Sequence, residues 1–203
     1  MRDRLNLTLP VDLIGRINEL ADRKKLPRSA IVEAAVALRE AGPASTLDEL
    51  LARYRHFDLP LARAEATILD RIDVEATAQA MSLSRALHEA IRLREALAGS
   101  SLPLPLDLLA RHGLSRAELG RAHADRDAAL RDHFAALATV MGAADRDRLS
   151  ALSAIGLHAG RQRARRAARA RDPLATVARD LDRLPLSSAW AGWRAARRLQ
   201  ARA

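Results

Sequence analysis

Three polar side chains alternate with leucines close to the N-terminus. They are Arg4, Asn6 and Thr8, in the segment Arg-Leu-Asn-Leu-Thr-Leu. Guanidinium, carboxamide and hydroxyl groups all donate hydrogen bonds, and the last two also accept them. Period-2 alternation is typical of a strand that is buried on one face only. The pattern therefore predicts a short strand with a polar, hydrogen-bonding outer face.

Few other residues offer the chemistry of a catalytic or metal site. The chain has no cysteine, which excludes disulfides, thiolate metal sites and cysteine nucleophiles. It has no phosphate-binding loop, nucleophile elbow or paired-carboxylate motif, so we expect no enzyme activity, catalytic residue, metal or cofactor. His123 and Asp127 lie one helical turn apart with His133 further on, but we expect these three to be polar residues at the surface and not metal ligands.

Composition indicates a mostly helical protein. The 203 residues are 49% hydrophobic but only 2% aromatic, a mixture that favours helices packed through small and aliphatic side chains. No apolar run approaches the roughly 20 residues that cross a bilayer, and no signal peptide is visible. We expect a soluble, cytoplasmic protein with no membrane partner.

The elements that must position the polar strand follow it directly. Apolar residues recur at helical spacing from Leu13 to Ala21 and again from Ile31 to Leu38. A turn of sequence Lys-Lys-Leu-Pro-Arg-Ser separates these two helices, and a Gly-Pro pair breaks the second one. The pattern predicts an N-terminal domain at residues 1–41.

The predicted strand needs a partner. A strand of this length is not stable alone, because its backbone N–H and C=O groups would be unpaired on both edges. The next fifty residues offer no convincing second strand, so the simplest partner is the same strand of another copy, antiparallel about a two-fold axis. Leu5, Leu7 and Leu9 would then face the helices of both chains. This reasoning predicts a homodimer.

The order strand, helix, turn, helix resembles the ribbon-helix-helix proteins of the CopG, Arc and MetJ type over residues 2–40. In that family, a two-stranded ribbon enters the major groove of double-stranded DNA. The resemblance implies that Arg4, Asn6 and Thr8 read base edges. Arginine suits the guanine acceptors, asparagine suits adenine, and threonine can donate, accept or touch a thymine methyl group.

The same resemblance implies contacts to the DNA backbone. In the family, the N-terminus of the second helix meets a phosphate, which here involves Arg28 and Ser29. Arg2 shares the parity of the base-reading residues, and Lys24 and Lys25 are additional candidates for phosphate contacts. Proline precedes Arg28 where members of the family often have a capping Ser or Thr, which predicts a weaker clamp.

These features indicate sequence-specific DNA binding, with transcriptional repression or autoregulation as the expected role. An accessory DNA-binding protein of plasmid transfer or partition would use the same ribbon and is an open alternative.

Residues 42–203 are predicted to form an all-helical domain. Ser115 and Glu118 have the spacing of a capping box, and Gly113 suits the position just after a helix. The expected helices are Thr46–His56, Leu61–Gln79, Ser82–Ala98, Pro105–His112, Ser115–Met141, Ala144–Ala170, Leu174–Leu184 and Ser187–Gln200.

Three interpretations of this domain stay open. The first is assembly or binding of a protein partner. The second is a non-catalytic scaffold, because Ala86–Glu95 and Leu102–Ser115 resemble the C-terminal half of squalene and phytoene synthases, with weak similarity continuing to Arg198. Only Arg94-Glu95 remains of that family's second magnesium-binding motif. The third is a degenerate second ribbon-helix-helix copy, in which Ser82–Ala86 imitates the turn near Arg28.

The C-terminal tail carries the basic charge. The net charge of the chain is +9, and residues 161–203 contain twelve arginines against three aspartates. Such a cluster either tracks DNA phosphates or forms a solvated helix face. Trp190 and Trp193, three residues apart, are expected to cover an edge of the core. The six clustered arginines are Arg161, Arg163, Arg165, Arg166, Arg169 and Arg171.

Overall fold

The computed structural model describes Asn18, which is helical, and residues 42–69, 72–99, 101–145, 149–181 and 186–201. The chain separates into two units, Met1–Gly42 and Pro43–Ala203. The strand predicted at the N-terminus lies outside the described residues. The fold described below is that of the second unit, which we call the helical unit.

The helical unit is built from α-helices, and no strand occurs among the residues described. Within the described ranges, no helix combines the length and the hydrophobicity needed to cross a bilayer. The elements are α1 (Leu47–Ile68), α2 (Val74–Ile91), α3 (Leu93–Ala98), α4 (Leu106–Arg111), a 3-10 turn (Glu118–Gly120), α5 (Ala124–Ala143), α6 (Ala151–Ala167), α7 (Pro173–Asp180) and α8 (Leu186–Ala201).

Side-chain caps start most of these helices. A side-chain oxygen before the first turn accepts a hydrogen bond from a backbone N–H that has no partner inside the helix. The four oxygen-capped starts are Thr46 to Glu49 in α1, Asp73 to Ala76 in α2, Ser150 to Ser153 in α6 and Asp172 to Ala175 in α7.

Two predicted interruptions are absent. Helix α1 continues through Pro60, where we expected a break, because its buried residues continue on both sides of the proline: Leu50, Tyr54, Asp58 and Ala62. Pro60 itself is on the exposed side.

Helix α2 likewise continues through Ser82, which is buried and donates its hydroxyl to the carbonyl of Ala78 at 2.8 Å. Packing of α1 against α2 overrides the local signals.

The predicted helix Ser115–Met141 is two elements. The Glu118 carboxylate accepts from the N–H of Ser115 at 2.7 Å, as the capping-box pattern predicts, and it also accepts from the Ser115 hydroxyl at 2.6 Å. These bonds lower the pKa of Glu118. However, the helix that begins here ends at Gly120, and α5 starts anew with His123 as its N-cap.

Helices α2, α5 and α6 enclose the core. Helix α2 packs against α1, α5 and α6, while α6 also contacts α7 and α8. A Cβ built on Gly160 of α6 would lie 3.3 Å from Cε of Met141, so the glycine permits close approach of α5 and α6. The core side chains with almost no exposure include Leu83, Leu87, Leu130, Phe134, Leu137, Met141 and Leu157.

Gly113 ends α4 as the sequence predicts. Its φ is 61°, and the N–H groups of Gly113 and Leu114 donate to the carbonyls of Ala110 and Leu109 at 3.2 and 2.9 Å. This is the Schellman pattern, which uses a left-handed residue after the helix.

Substitution of Gly113 by alanine is expected to lower the free energy of unfolding by about 1 kcal/mol, because a Cβ is unfavourable at positive φ. A Cβ there meets nothing within 4 Å, so the cost is one of backbone conformation alone. Urea denaturation of Gly113→Ala measures it, with Gly120→Ala as the control, since Gly120 has open space and no positive φ. Equal stability of the two variants would contradict this account.

Candidate functional site

The residues that the sequence assigns to DNA lie outside the described residues. Their mutual geometry therefore stays a prediction. They are Arg2, Arg4, Asn6, Thr8, Lys24, Lys25, Arg28 and Ser29.

The arginine cluster of the tail is divided between the interior and the surface. Arg163 is only 8% exposed. Its Nε and Nη2 donate to the carbonyls of Asp180 and Leu181, each at 3.0 Å, at the C-terminal end of α7. Burial lowers the pKa of this guanidinium. Arg163 thus holds α7 against α6, which neither of the two sequence interpretations foresaw.

Two further arginines of the cluster also contact other residues of the helical unit. Nε of Arg166 lies 3.1 Å from Oδ2 of Asp180. The guanidinium of Arg161 lies so close to Gly142 that a Cβ there would be 2.8 Å from its Nη2. The arginines at 165, 169 and 171 are exposed. A basic surface is therefore present, but it is smaller than the sequence suggests.

The three residues with metal-like spacing have separate roles. Nδ1 of His123 caps α5 by accepting from the N–H of Arg126 at 3.4 Å, and Asp127 pairs with the Arg126 guanidinium at 2.7 Å. His133 is 2% exposed, so the expectation that it lies on the surface is wrong. Across the ranges that the structure describes, no three His, Asp or Glu side chains are grouped to hold a metal ion.

The burial of His133 controls its protonation. Desolvation by the core lowers its pKa to about 4, because a buried imidazole pays a large cost for carrying charge. Its Nε2 has no hydrogen-bond partner. His133 is therefore a neutral core residue at pH 7.

The two tryptophans are exposed, which corrects the expectation that they cover an edge of the core. Trp190 and Trp193 are 55% and 56% exposed. Cζ of Arg194 lies 3.9 Å from the Trp190 ring centroid, and Cζ of Arg197 lies 5.5 Å from that of Trp193. Leu186 in the first turn of α8 is 91% exposed. We call Leu186, Trp190, Trp193, Arg194 and Arg197 the Trp–Arg ridge.

A sequence signal for this exposure exists. Ser188, Gly192 and Ala195 recur at helical spacing and are buried. Small residues in such a row allow close helix packing, and a Cβ on Gly192 would lie 2.6 Å from Cγ1 of Ile155 in α6. The small side of α8 therefore faces α6, which turns the tryptophans outward.

A small cavity lies between α1, α2 and α5. Its volume is about 190 Å³. Its wall contains polar groups but no pairing of a nucleophile with a base, and Arg55 is paired with Glu75 across α1 and α2. The lining residues are Asp48, Leu51, Ala52, Arg55, Gln79, Ser82, Leu83 and Val140.

The N-terminal segment is similar to a known protein family. Residues 3–41 match the family model described as ribbon-helix-helix protein, copG family. This match confirms the resemblance that the order of strand, turn and helices predicts. No curated protein and no solved structure matches the chain. The resemblance of residues 86–198 to isoprenoid synthases stays a prediction.

Proposed function

We propose that this chain binds double-stranded DNA as a homodimer and acts as a transcriptional repressor or autoregulator. The observation that carries the proposal is the match of residues 3–41 to the ribbon-helix-helix, copG family. The sequence of that segment has both the alternating polar pattern predicted to form a strand and the two amphipathic patterns predicted to form helices. Proteins built on it bind DNA with strands in a groove.

In the proposed mechanism, the strands of two chains pair antiparallel and enter the major groove. The groove is wide enough to admit a two-stranded ribbon. The leucines face inward, and Arg4, Asn6 and Thr8 of both copies face the base edges. Two-fold symmetry then requires that the preferred DNA site be an inverted repeat.

Backbone contacts fix the register of the ribbon on the duplex. The N-terminus of the second helix directs main-chain N–H groups, Arg28 and Ser29 toward a phosphate. Arg2, Lys24 and Lys25 add positive charge near the DNA. These contacts contribute affinity without sequence preference.

The helical unit is proposed to support assembly of the dimer or to bind a protein partner. It has its own core, formed by residues between Ala44 and Ala195. The described part offers no grouped metal ligands.

Substitution of Asn6 by alanine is expected to weaken binding to the preferred site by about 1–3 kcal/mol, because a bidentate contact to a base is lost. Competition between the preferred site and single-base variants should show relaxed specificity at one position of each half-site. Arg28→Ala is the matched comparison, since loss of a phosphate contact should weaken all duplexes about equally. If Asn6→Ala also weakens every duplex equally, its side chain does not read bases.

Salt dependence tests the proposal as a whole. Titration of a duplex with the full chain at two salt concentrations should show weaker binding at the higher one, since neutralised phosphates release counterions. Absence of any duplex binding at low salt would contradict the proposal.

A further inference from the structure

The Trp–Arg ridge is an anomaly in a chain with so few aromatic residues. The chain contains two tryptophans, two phenylalanines and one tyrosine. Phe134 and Tyr54 are buried at 0% and 7% exposure, whereas both tryptophans are more than half exposed. Large apolar side chains that share one surface mark contact sites more often than isolated ones do.

The ridge lies on one side of α8. Successive helical residues are turned by roughly 100°, so Leu186, Trp190, Trp193 and Arg197, at spacings of four, three and four, line one face. The buried Ser188, Gly192 and Ala195 line the other face, which packs on α6. The ridge is thus the outermost surface of this helix.

The charge of α8 has a single sign. Its sixteen residues contain Arg194, Arg197 and Arg198 and no Asp or Glu. Two of the guanidinium groups lie over the tryptophan rings. The ridge therefore presents positive charge and apolar side chains on the same surface.

We propose that the Trp–Arg ridge docks on the surface of an anionic lipid bilayer. Indole rings and guanidinium groups both favour the headgroup level, where the ring is half-buried and the cation meets lipid phosphates. Leu186, which neither stacks on bases nor pairs with phosphates, favours a lipid surface over nucleic acid. A bilayer surface is also fluid, so it can contact the ridge without offering a shape-matched groove.

The proposed contact lies at the bilayer surface. We predicted no membrane partner because the sequence has no membrane-spanning segment, but docking at the surface needs no such segment. It also does not depend on the proposed DNA binding, because the ridge belongs to α8 and the DNA-contacting residues are assigned to residues 1–41.

The test uses the fluorescence of the full chain, because both of its tryptophans belong to the ridge. With vesicles of phosphatidylglycerol and phosphatidylcholine, the emission should move to shorter wavelength, and salt should reverse the change. Vesicles of phosphatidylcholine alone should have little effect. An emission wavelength that the anionic vesicles leave unchanged would overturn the proposal. The same change of wavelength with glycerol phosphate in solution would also overturn it, because the ridge would then bind a free phosphate and not a bilayer.

Charge-matched variants separate the ridge from general electrostatic attraction. Arg194→Gln with Arg197→Gln is expected to weaken vesicle binding by about thirtyfold, given the attraction that each basic side chain has for an anionic surface. Arg165→Gln with Arg169→Gln removes the same charge from exposed positions elsewhere and should have a much smaller effect. Equal losses in the two variants would overturn the proposal.

A variant of the apolar residue Leu186 and a titration with duplex DNA complete the test. Leu186→Asp keeps both tryptophans and should weaken vesicle binding, since it places a carboxylate at the lipid surface. Addition of duplex DNA without lipid should leave the tryptophan emission at its original wavelength. Strong quenching by DNA that the Arg194→Gln, Arg197→Gln variant abolishes would assign the ridge to nucleic acid instead.

Discussion

Replacement of Arg85 by methionine is expected to lower the free energy of unfolding of the helical unit by about 3 kcal/mol, because it leaves a buried carboxylate without its counter-charge. Asp58 is 2% exposed. Nε of Arg85 lies 3.2 Å from both of its carboxylate oxygens, and Nη2 lies 2.5 Å from Oδ1. These bonds raise the pKa of Arg85 and join α1 to α2.

Urea denaturation followed by circular dichroism measures this loss. The double variant Asp58→Leu, Arg85→Met should recover much of the stability, because a buried pair can be replaced by apolar groups of similar size. Arg55→Met is the matched control, since Arg55 and Glu75 are 50% and 57% exposed and such pairs contribute little. A double variant as unstable as Arg85→Met alone would show that the loss has another cause.

Acidification is expected to destabilise the helical unit through His133 by up to about 3 kcal/mol between pH 6.5 and pH 4. The folded pKa is about 4, against 6.5 for the free side chain. In this window the unfolded chain binds a proton that the folded chain does not, so stability falls as the pH falls. Above pH 6.5 the neutral imidazole is present in both states and the effect is absent.

Denaturation at pH 7 and pH 4.5 should therefore show a smaller difference for His133→Leu than for the unchanged chain. The control is His56→Gln, because His56 is exposed and its replacement should preserve the pH dependence. A pH dependence that His133→Leu leaves intact would show that other groups cause the acid sensitivity.

The local signals of the sequence predict much of the helical unit. The end of α4 at Gly113, the contact between Ser115 and Glu118 and the mainly helical fold are confirmed. These features depend on residues within a few positions of each other, where capping and turn preferences decide. The break expected before Leu61 is wrong, because burial of one face of α1 outweighs the preference of Pro60.

Contacts between distant residues could not be predicted. The carbonyls that Arg163 binds are 17 and 18 residues away, and nothing in an arginine-rich run distinguishes this buried member. The same holds for His133, whose sequence neighbourhood fits a surface as well as a core. The outward direction of the tryptophans is set by the fit of Ile155 against Gly192.

For the candidate DNA site, the alternation of polar and apolar residues predicts a strand and its polar face, and the family model matches the segment. Which base each side chain meets depends on how two copies pair on the duplex. The sequence of one chain does not contain that geometry, so the assignments of Arg4, Asn6 and Thr8 stay predictions.

In the proposed mechanism, two copies of the N-terminal strand present these three side chains to base edges. Selection of binding sites from a random duplex library can show whether they do, with the full chain and with the variant in which Arg4, Asn6 and Thr8 are alanine. An inverted repeat is expected for the unchanged chain, and no enriched sequence is expected for the variant. Enrichment of the same repeat by both proteins would rule the mechanism out.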